Sequence, residues 1–304
     1  MGSGGRGSYY SKRDLDELKE LAIERLERSR NEQEIASLVA EKLAAINNRD
    51  VDEVNERIDE IRAALGEAIQ EFERLRFGGS VAKHTFVDGL SDVDSIVLLD
   101  ADAETTTPEQ VLNDLKQALN ARLGRSDVES ISVGRLAVTV RYRDGDEIQL
   151  LPAIRDGDGI AIADASGRGW SSGIDPRAFA RALTDVNQRQ GRIVVPTVKL
   201  AKAIVNNAMG EFAPSGYHVE ALAVDAFRGY NGSRSHRDML SHLLTHSATA
   251  VRRPTRDITG QSISVDEGLG PVDSAARMQL SRRLNALATK VASASPSEWR
   301  ELLG

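Results

Sequence analysis

FGGSVAKHTFVDGLSDVDSIVLLD, Phe77 to Asp100, is the stretch from which the rest of the chain can be read. A Gly-Gly-Ser turn is followed by a connector of about a dozen residues, and then Asp92-Val93-Asp94 opens an apolar run. Side chains alternate along a strand, so Asp92 and Asp94 share one face while Val93 points into the core. Two carboxylates side by side repel, and each raises the other's pKa unless a cation lies between them. A hard divalent ion is held by one or two such carboxylates together with phosphate oxygens of a substrate. Gly78 and Gly79 clear side chains from a backbone that can approach a phosphate, and Ser80 adds a hydroxyl and an N–H. Asp-x-Asp at a strand start also serves as turn chemistry. The preceding Gly78-Gly79-Ser80 and the buried strand that follows favour a phosphate-and-metal site.

Working outward, Ser11–Arg30, Glu32–Ala45 and Val51–Leu75 carry apolar residues at helical spacing, so three helices lead into Phe77. Ile96–Leu99 reads as a buried strand. Thr107-Pro108-Glu109 starts a helix that runs to about Leu123, with Pro at its first position. Val128–Val133 and Arg135–Tyr142 are strands turned at Gly134. Asp144-Gly145-Asp146 is a hairpin signal, and Glu147–Leu151 is the returning strand before Pro152. Gly157–Asp164 reads as a short strand and Ser166–Gly173 as a glycine-rich loop. Helices are expected over 176–190, 197–209, 217–229, 235–251 and 274–292, with a long polar loop from Arg252 to Asp273. The expected fold is α+β, with a mixed sheet lobe, an N-terminal helical spine and a C-terminal helical lobe. The divisions are a flexible arm over 1–8, N-terminal helices plus catalytic lobe over 9–170, and a helical lobe over 171–304.

At 304 residues the chain can bury a substantial core. It has no cysteine, which excludes disulfides and Cys-ligated zinc and fits a reducing cytoplasm. No apolar run has membrane-spanning length, so no membrane partner is expected. A net charge of −7 argues against a constitutive grip on duplex nucleic acid.

Phosphoryl transfer with two metals usually uses a third acid near the attacking hydroxyl, from a neighbouring strand. Asp146–Pro152 is the candidate strand, and Glu147 and Gln149 share one of its faces. Gln149 coordinates through its carbonyl but takes no proton; Glu147 takes one if it reaches, or else is a solvent-facing hairpin residue. Lys199 and Lys202 lie behind Pro196, three apart on a helix, so that one can meet a triphosphate while the other is solvated. Ser215-Gly216-Tyr217 offers helix N-terminal donors for phosphate and an aromatic face for a base, with Tyr217 as core the rival reading. Arg252, Arg253 and Arg256 form a basic cluster that contacts phosphate or is simply solvated.

Taken together, GGSVAKHTFVDGLSDVDSIVLLD, EIQLLPAI, VPTVKLAKAI, SGYHVEALAVDAF and TGQSISVD resemble the cGAS/DncV-like nucleotidyltransferases (CD-NTases), the bacterial CBASS oligonucleotide cyclases. The first motif alone resembles the signature of the polymerase-β-like nucleotidyltransferases and so implies a polymerase-β-like fold; the resemblance of the whole set runs from about Tyr9 to the C-terminus. It implies a cytoplasmic, Mg²⁺-dependent enzyme, with Mn²⁺ as a substitute, joining NTPs into a cyclic di- or oligonucleotide that reaches a partner effector during phage infection. It assigns Gly79 and Ser80 to triphosphate, Asp92 and Asp94 to metals, Lys199 to triphosphate and Tyr217 to stacking on a base. The chain departs from the pattern at Gln149, where relatives often carry Asp. Glu147 substitutes, or two carboxylates suffice with water or substrate accepting the proton, or activity is weakened. Gly216 replaces a phosphate-binding Ser, which shifts that role to Ser215 or a backbone N–H. Activation by duplex DNA is not expected, because the zinc insert of the animal sensor has no counterpart. The alternatives are a tRNA- or antibiotic-type transferase with a specific acceptor, and a non-catalytic nucleotide sensor retaining the fold.

Overall fold

The structure is a computed structural model that describes residues 12–47, 51–66, 72–77, 93–99, 104–124, 127–156, 159–164, 167–174, 176–258 and 265–304. Two helices open the chain, α1 (Lys12–Asn47) and α2 (Val51–Gly66). They serve different cores. Ile35 and Val39 of α1 are buried with the C-terminal helices, whereas Ile58, Ile61 and Leu65 of α2 are buried beneath the sheet.

The expected break near Arg30 is absent, and α1 is one helix of 36 residues. No Gly or Pro interrupts Arg30-Asn31-Glu32, and Glu32 is tied to Arg237 Nε at 2.6 Å across the junction. The helix expected to reach Leu75 does not: α2 spans Val51–Gly66, and Phe72–Phe77 is strand β1. Its antiparallel pairing with β2 (Val93–Leu99) outweighs the helical spacing.

Helix α3 (Pro108–Arg122) starts as anticipated. Gln110 N donates to Thr107 Oγ1 and Gln110 Oε1 accepts from Thr107 N, a reciprocal cap with Pro108 in the first turn. Strands β3 (Val128–Val133), β4 (Val138–Tyr142) and β5 (Glu147–Asp156) follow. Gly145, at φ +96°, makes the β4–β5 turn, a conformation open to glycine.

Strand β5 passes through Pro152 rather than ending before it. Pairing with β4 ends at Leu150 and pairing with β6 (Gly159–Ala163) begins at Ala153, so the missing N–H falls where β5 changes neighbour on that edge. Part of the expected glycine-rich loop is strand β7 (Trp170–Ile174), paired with β6. The main sheet order is β1-β2-β5-β4-β3, with β2 and β5 parallel and the other pairs antiparallel.

One face of this sheet, with Val97, Val138, Val140, Ile148 and Leu150, packs under α2 and α3. Arg57 of α2 clamps the sheet's turn end. Its guanidinium is 2% exposed and reaches Asp144 at 2.5 Å, Glu53 at 2.7 Å, Asp146 at 2.8 Å and Asp127 at 3.4 Å, while it lies 4.1 Å over the Tyr142 ring. Burial alone would raise the Asp144 carboxyl; the Arg57 hydrogen bond and charge hold it below the usual carboxylate range.

The C-terminal half is helical: α4 (Pro176–Arg189), α5 (Val194–Met209), α6 (Gly216–Phe227), α7 (His236–Ala250), α8 (Ala275–Ser293) and α9 (Pro296–Leu303). Helix α5 begins three residues earlier than expected, so Pro196 lies inside its first turn, where a helix has no N–H bond to lose. The last helix was not anticipated, although Ser295-Pro296-Ser297-Glu298 carries its start signal. Ser295 and Glu298 form a capping box, and Trp299 is fully buried. Among the described residues, no helix is long and apolar enough to cross a membrane.

Candidate active site

The predicted site residues fall into two sets. The first belongs to the sheet. Gly78, Gly79, Ser80 and Asp92 lie outside the described residues, as does most of the TGQSISVD motif. Asp94 is on β2, and its Cα partner on the parallel strand β5 is Gln149, whose partner on β4 is Thr139. The position beside the second aspartate of the Asp-x-Asp pair is therefore held by an amide.

Glu147 lies two residues earlier on β5 and is registered with Arg141. Burial alternates along β5, with Ile148 and Leu150 buried and Glu147 and Gln149 half-buried, so the latter two share the face opposite α2 and α3. Arg141 binds Glu147 through Nε and Nη2, and both nitrogens go to Oε1. Both contacts fall on one oxygen of the carboxylate and orient it. Among the described residues, no group of three or more His, Asp or Glu is arranged to hold a metal.

The second set sits on α5 and α6. Lys199 is half-buried and donates to Asn47 Oδ1, the last residue of α1, at 2.5 Å. Burial, with Lys202 close by, holds the Lys199 amine below the ordinary lysine value. The expectation that the other lysine is solvated fails. Lys202 is 5% exposed, and its Nζ lies 2.7 Å from Glu220 Oε1 on α6, a residue 1% exposed. An apolar helix pair holds that ion pair in place, with Leu200, Ala201 and Leu222 among its buried neighbours in the core.

Ser215 is the N-cap of α6 and accepts from His218 N at 3.2 Å. Tyr217 is half-buried: its hydroxyl donates to Asp257 Oδ1 at 2.8 Å, and its ring lies 4.8 Å from Phe179 at an angle of 54°. Of the late basic cluster, Arg252 is paired with Asp273 at 2.7 Å and Arg253 gives its carbonyl to Arg277.

Asp257, Asp266, Arg277 and Glu220 are the partners that sequence reasoning missed. Isolated charged residues in a loop or on a helix carry no periodic signal, and only the fold brings them inside. Arg277 is fully buried and binds Asp266 at 2.7 Å as well as the carbonyls of Val251, Arg253 and Gly270. Asp266 in turn accepts from Thr255 N at 3.0 Å and lies 3.3 Å from His218 Nε2. Burial pushes the His218 pKa down and outweighs Asp266, so this ring is a neutral donor at neutral pH.

A sequence model of the Second Messenger Oligonucleotide or Dinucleotide Synthetase domain matches residues 32–187, from the middle of α1 into α4. The chain belongs to this family. This synthetase is a cGAS/DncV-like nucleotidyltransferase, a cyclic-oligonucleotide synthase. Its fold is that of solved CD-NTases. The Bradyrhizobium diazoefficiens CdnG bound to GTP matches at a TM-score of 0.63 and 17% identity, covering 86% of this chain and 92% of that one. The Escherichia coli MS115-1 CdnC with ATP matches at 0.63 and 13% identity, covering 90% and 98%. The apo Vibrio cholerae DncV matches at 0.58 and 14% identity, covering 94% and 86%. No curated protein matches the chain by sequence.

Proposed function

We propose that the synthetase joins NTPs by attack of a 3′-hydroxyl on an α-phosphate, releases pyrophosphate, and closes the product into a cyclic di- or oligonucleotide. The observation that carries this reading is the β2–β5 register within the matched family domain: Asp94, of the Asp-x-Asp pair, stands directly beside the strand position from which a third group would act. The donor set fits Mg²⁺, since Asp92, Asp94 and the Gln149 carbonyl are all hard oxygen ligands. When bound there, a divalent cation would stabilise charge on the attacking and leaving oxygens.

The chain's own residues divide the remaining work. Gly79 and Ser80 offer backbone and hydroxyl contacts to the triphosphate, and Lys199 meets its charge from α5. Lys202 is proposed to act on nucleotide only through its helix, since Glu220 already neutralises it. Ser215 and the first N–H groups of α6 meet phosphate, and Tyr217 presents its ring to a base. Glu147 is the candidate proton acceptor. Arg141 holds its Oε1, and Oε2 is the atom proposed to take the proton of the attacking hydroxyl.

The cellular role is proposed to be CBASS anti-phage defence, in the cytoplasm, with an effector protein reached through the nucleotide product. One neighbour is an Escherichia coli CdnC in complex with HORMA, which supports asking whether a protein partner also acts on this chain. The test of the reading is incubation with labelled NTPs and no acceptor. A phosphatase-resistant product is expected, and transfer only when an acceptor is supplied would overturn it.

A further inference from the structure

A tyrosine that serves as a base platform must hold its ring still, and two torsions set where the ring lies. The first aims the ring axis. The second rolls the ring about that axis, and because the hydroxyl oxygen lies on the axis, a hydrogen bond to it restrains the first torsion and leaves the roll free. In this chain the two restraints come from different places. Phe179, 3% exposed, packs against the Tyr217 ring at 4.8 Å and limits its roll. The axis is aimed by Asp257, 5% exposed, which accepts the Tyr217 hydroxyl at 2.8 Å.

Asp257 is itself fixed from behind. Two residues earlier, Thr255 N donates to Asp266 Oδ1 at 3.0 Å and Thr255 O accepts from Val265 N at 2.9 Å. Fully buried Arg277 holds Asp266. His218, the residue after Tyr217, approaches both Thr255 Oγ1 and Asp266 Oδ2 at 3.3 Å, so the same network grips the platform's own helix. A buried carboxylate held this firmly costs more to build than surface packing of a tyrosine requires.

Resting on the reading of Tyr217 as the base platform, we propose that Asp257 is a positioning residue for nucleotide binding, which aims the Tyr217 ring and thereby sets the affinity and base preference of that site. In this role it touches no substrate and acts through the tyrosine hydroxyl. An Asn in its place keeps a carbonyl acceptor for that hydroxyl, whereas an Ala does not.

The experiment measures binding of α,β-methylene ATP and α,β-methylene GTP to the full chain with Mg²⁺, alongside KM and kcat. Tyr217→Ala is expected to weaken binding by roughly tenfold or more, as loss of a stacking face does. Tyr217→Phe and Asp257→Ala are each expected to weaken it by about threefold to tenfold, the scale of one hydrogen bond. The double variant should be no weaker than either single one, and Asp257→Asn should stay within about twofold of the parent. The losses should fall on KM and should alter the ATP-to-GTP ratio. Unchanged binding in Tyr217→Ala would remove the platform reading itself. Weakening in Tyr217→Ala without weakening in Tyr217→Phe would leave the platform and overturn the role of Asp257. Additive losses in the double variant would also overturn it. Should Asp257→Ala fail to fold, Tyr217→Phe against Asp257→Asn still decides.

Discussion

On β2 and β5 the candidate ligands Asp94 and Gln149 are neighbours because two strands share a register, whereas on α5 and α6 the candidate nucleotide contacts are held by side chains that cross the helical core. The sheet side spends little on support. Asp94 and Gln149 are adjacent by backbone pairing, and Glu147 needs only Arg141, its cross-strand partner. The helical side is supported in depth: Lys202 by buried Glu220, Lys199 by the end of α1, and Tyr217 by Asp257, which the Arg277–Asp266 network sets in place. A ladder positions groups as a by-product of folding. A helix surface does not, so groups on it must be aimed one by one.

That contrast can be broken or sharpened by substitution. The largest effect is expected at the acids. Asp94→Ala should lower turnover on the order of a thousandfold or more, as removal of a metal ligand worth several kcal/mol would, with the fold intact by circular dichroism. Glu147→Gln should cost about a hundredfold in kcat if its Oε2 takes the proton; a loss under about threefold would assign the proton elsewhere. Gln149→Asp sharpens the same point, since a restored carboxylate should raise turnover of the Glu147→Gln variant.

Smaller effects are expected in stability. Arg57→Ala leaves Asp127, Asp144 and Asp146 without their shared cation, and should cost about 3 kcal/mol by urea unfolding, or less to the extent that these half-exposed carboxylates are screened by water. The helical side should show its own acid sensitivity through His218. The folded chain holds this ring neutral, with a pKa below the ordinary 6.5, so the unfolded chain takes up a proton first as pH falls. Its contribution is complete above about pH 6.5 and is lost as pH falls through the depressed folded value. Urea midpoints measured between pH 7.5 and 5.5 should decline in the parent and decline less in His218→Gln.

How far the sequence could be read follows the same division. The α+β layout, the hairpin at Gly145 and the start of α3 at Thr107-Pro108 are local signals, and each is found where it was expected. Strand β1 was misread because Phe72–Phe77 continues a helical spacing, and its strand state comes from a partner some twenty residues away. Strand β5 extends past Pro152 because a change of neighbours there makes the missing N–H harmless, which no local rule shows. At the site, Asp94, Gln149 and Tyr217 stood out as motif residues. Glu220, Asp257, Asp266 and Arg277 did not, because a buried charge looks like any other charge until its partner arrives from elsewhere in the chain.

Synthesis of a ring from nucleotides alone is what sets the proposed activity apart from transfer to an acceptor. Labelled ATP, GTP, CTP and UTP, singly and in pairs, incubated with Mg²⁺ or Mn²⁺ and then with phosphatase, test it directly by mass spectrometry. A phosphatase-resistant cyclic product is expected in the parent and none in Asp94→Ala. A parent that forms no such product with any combination, or one whose product persists in Asp94→Ala, would contradict the proposed activity.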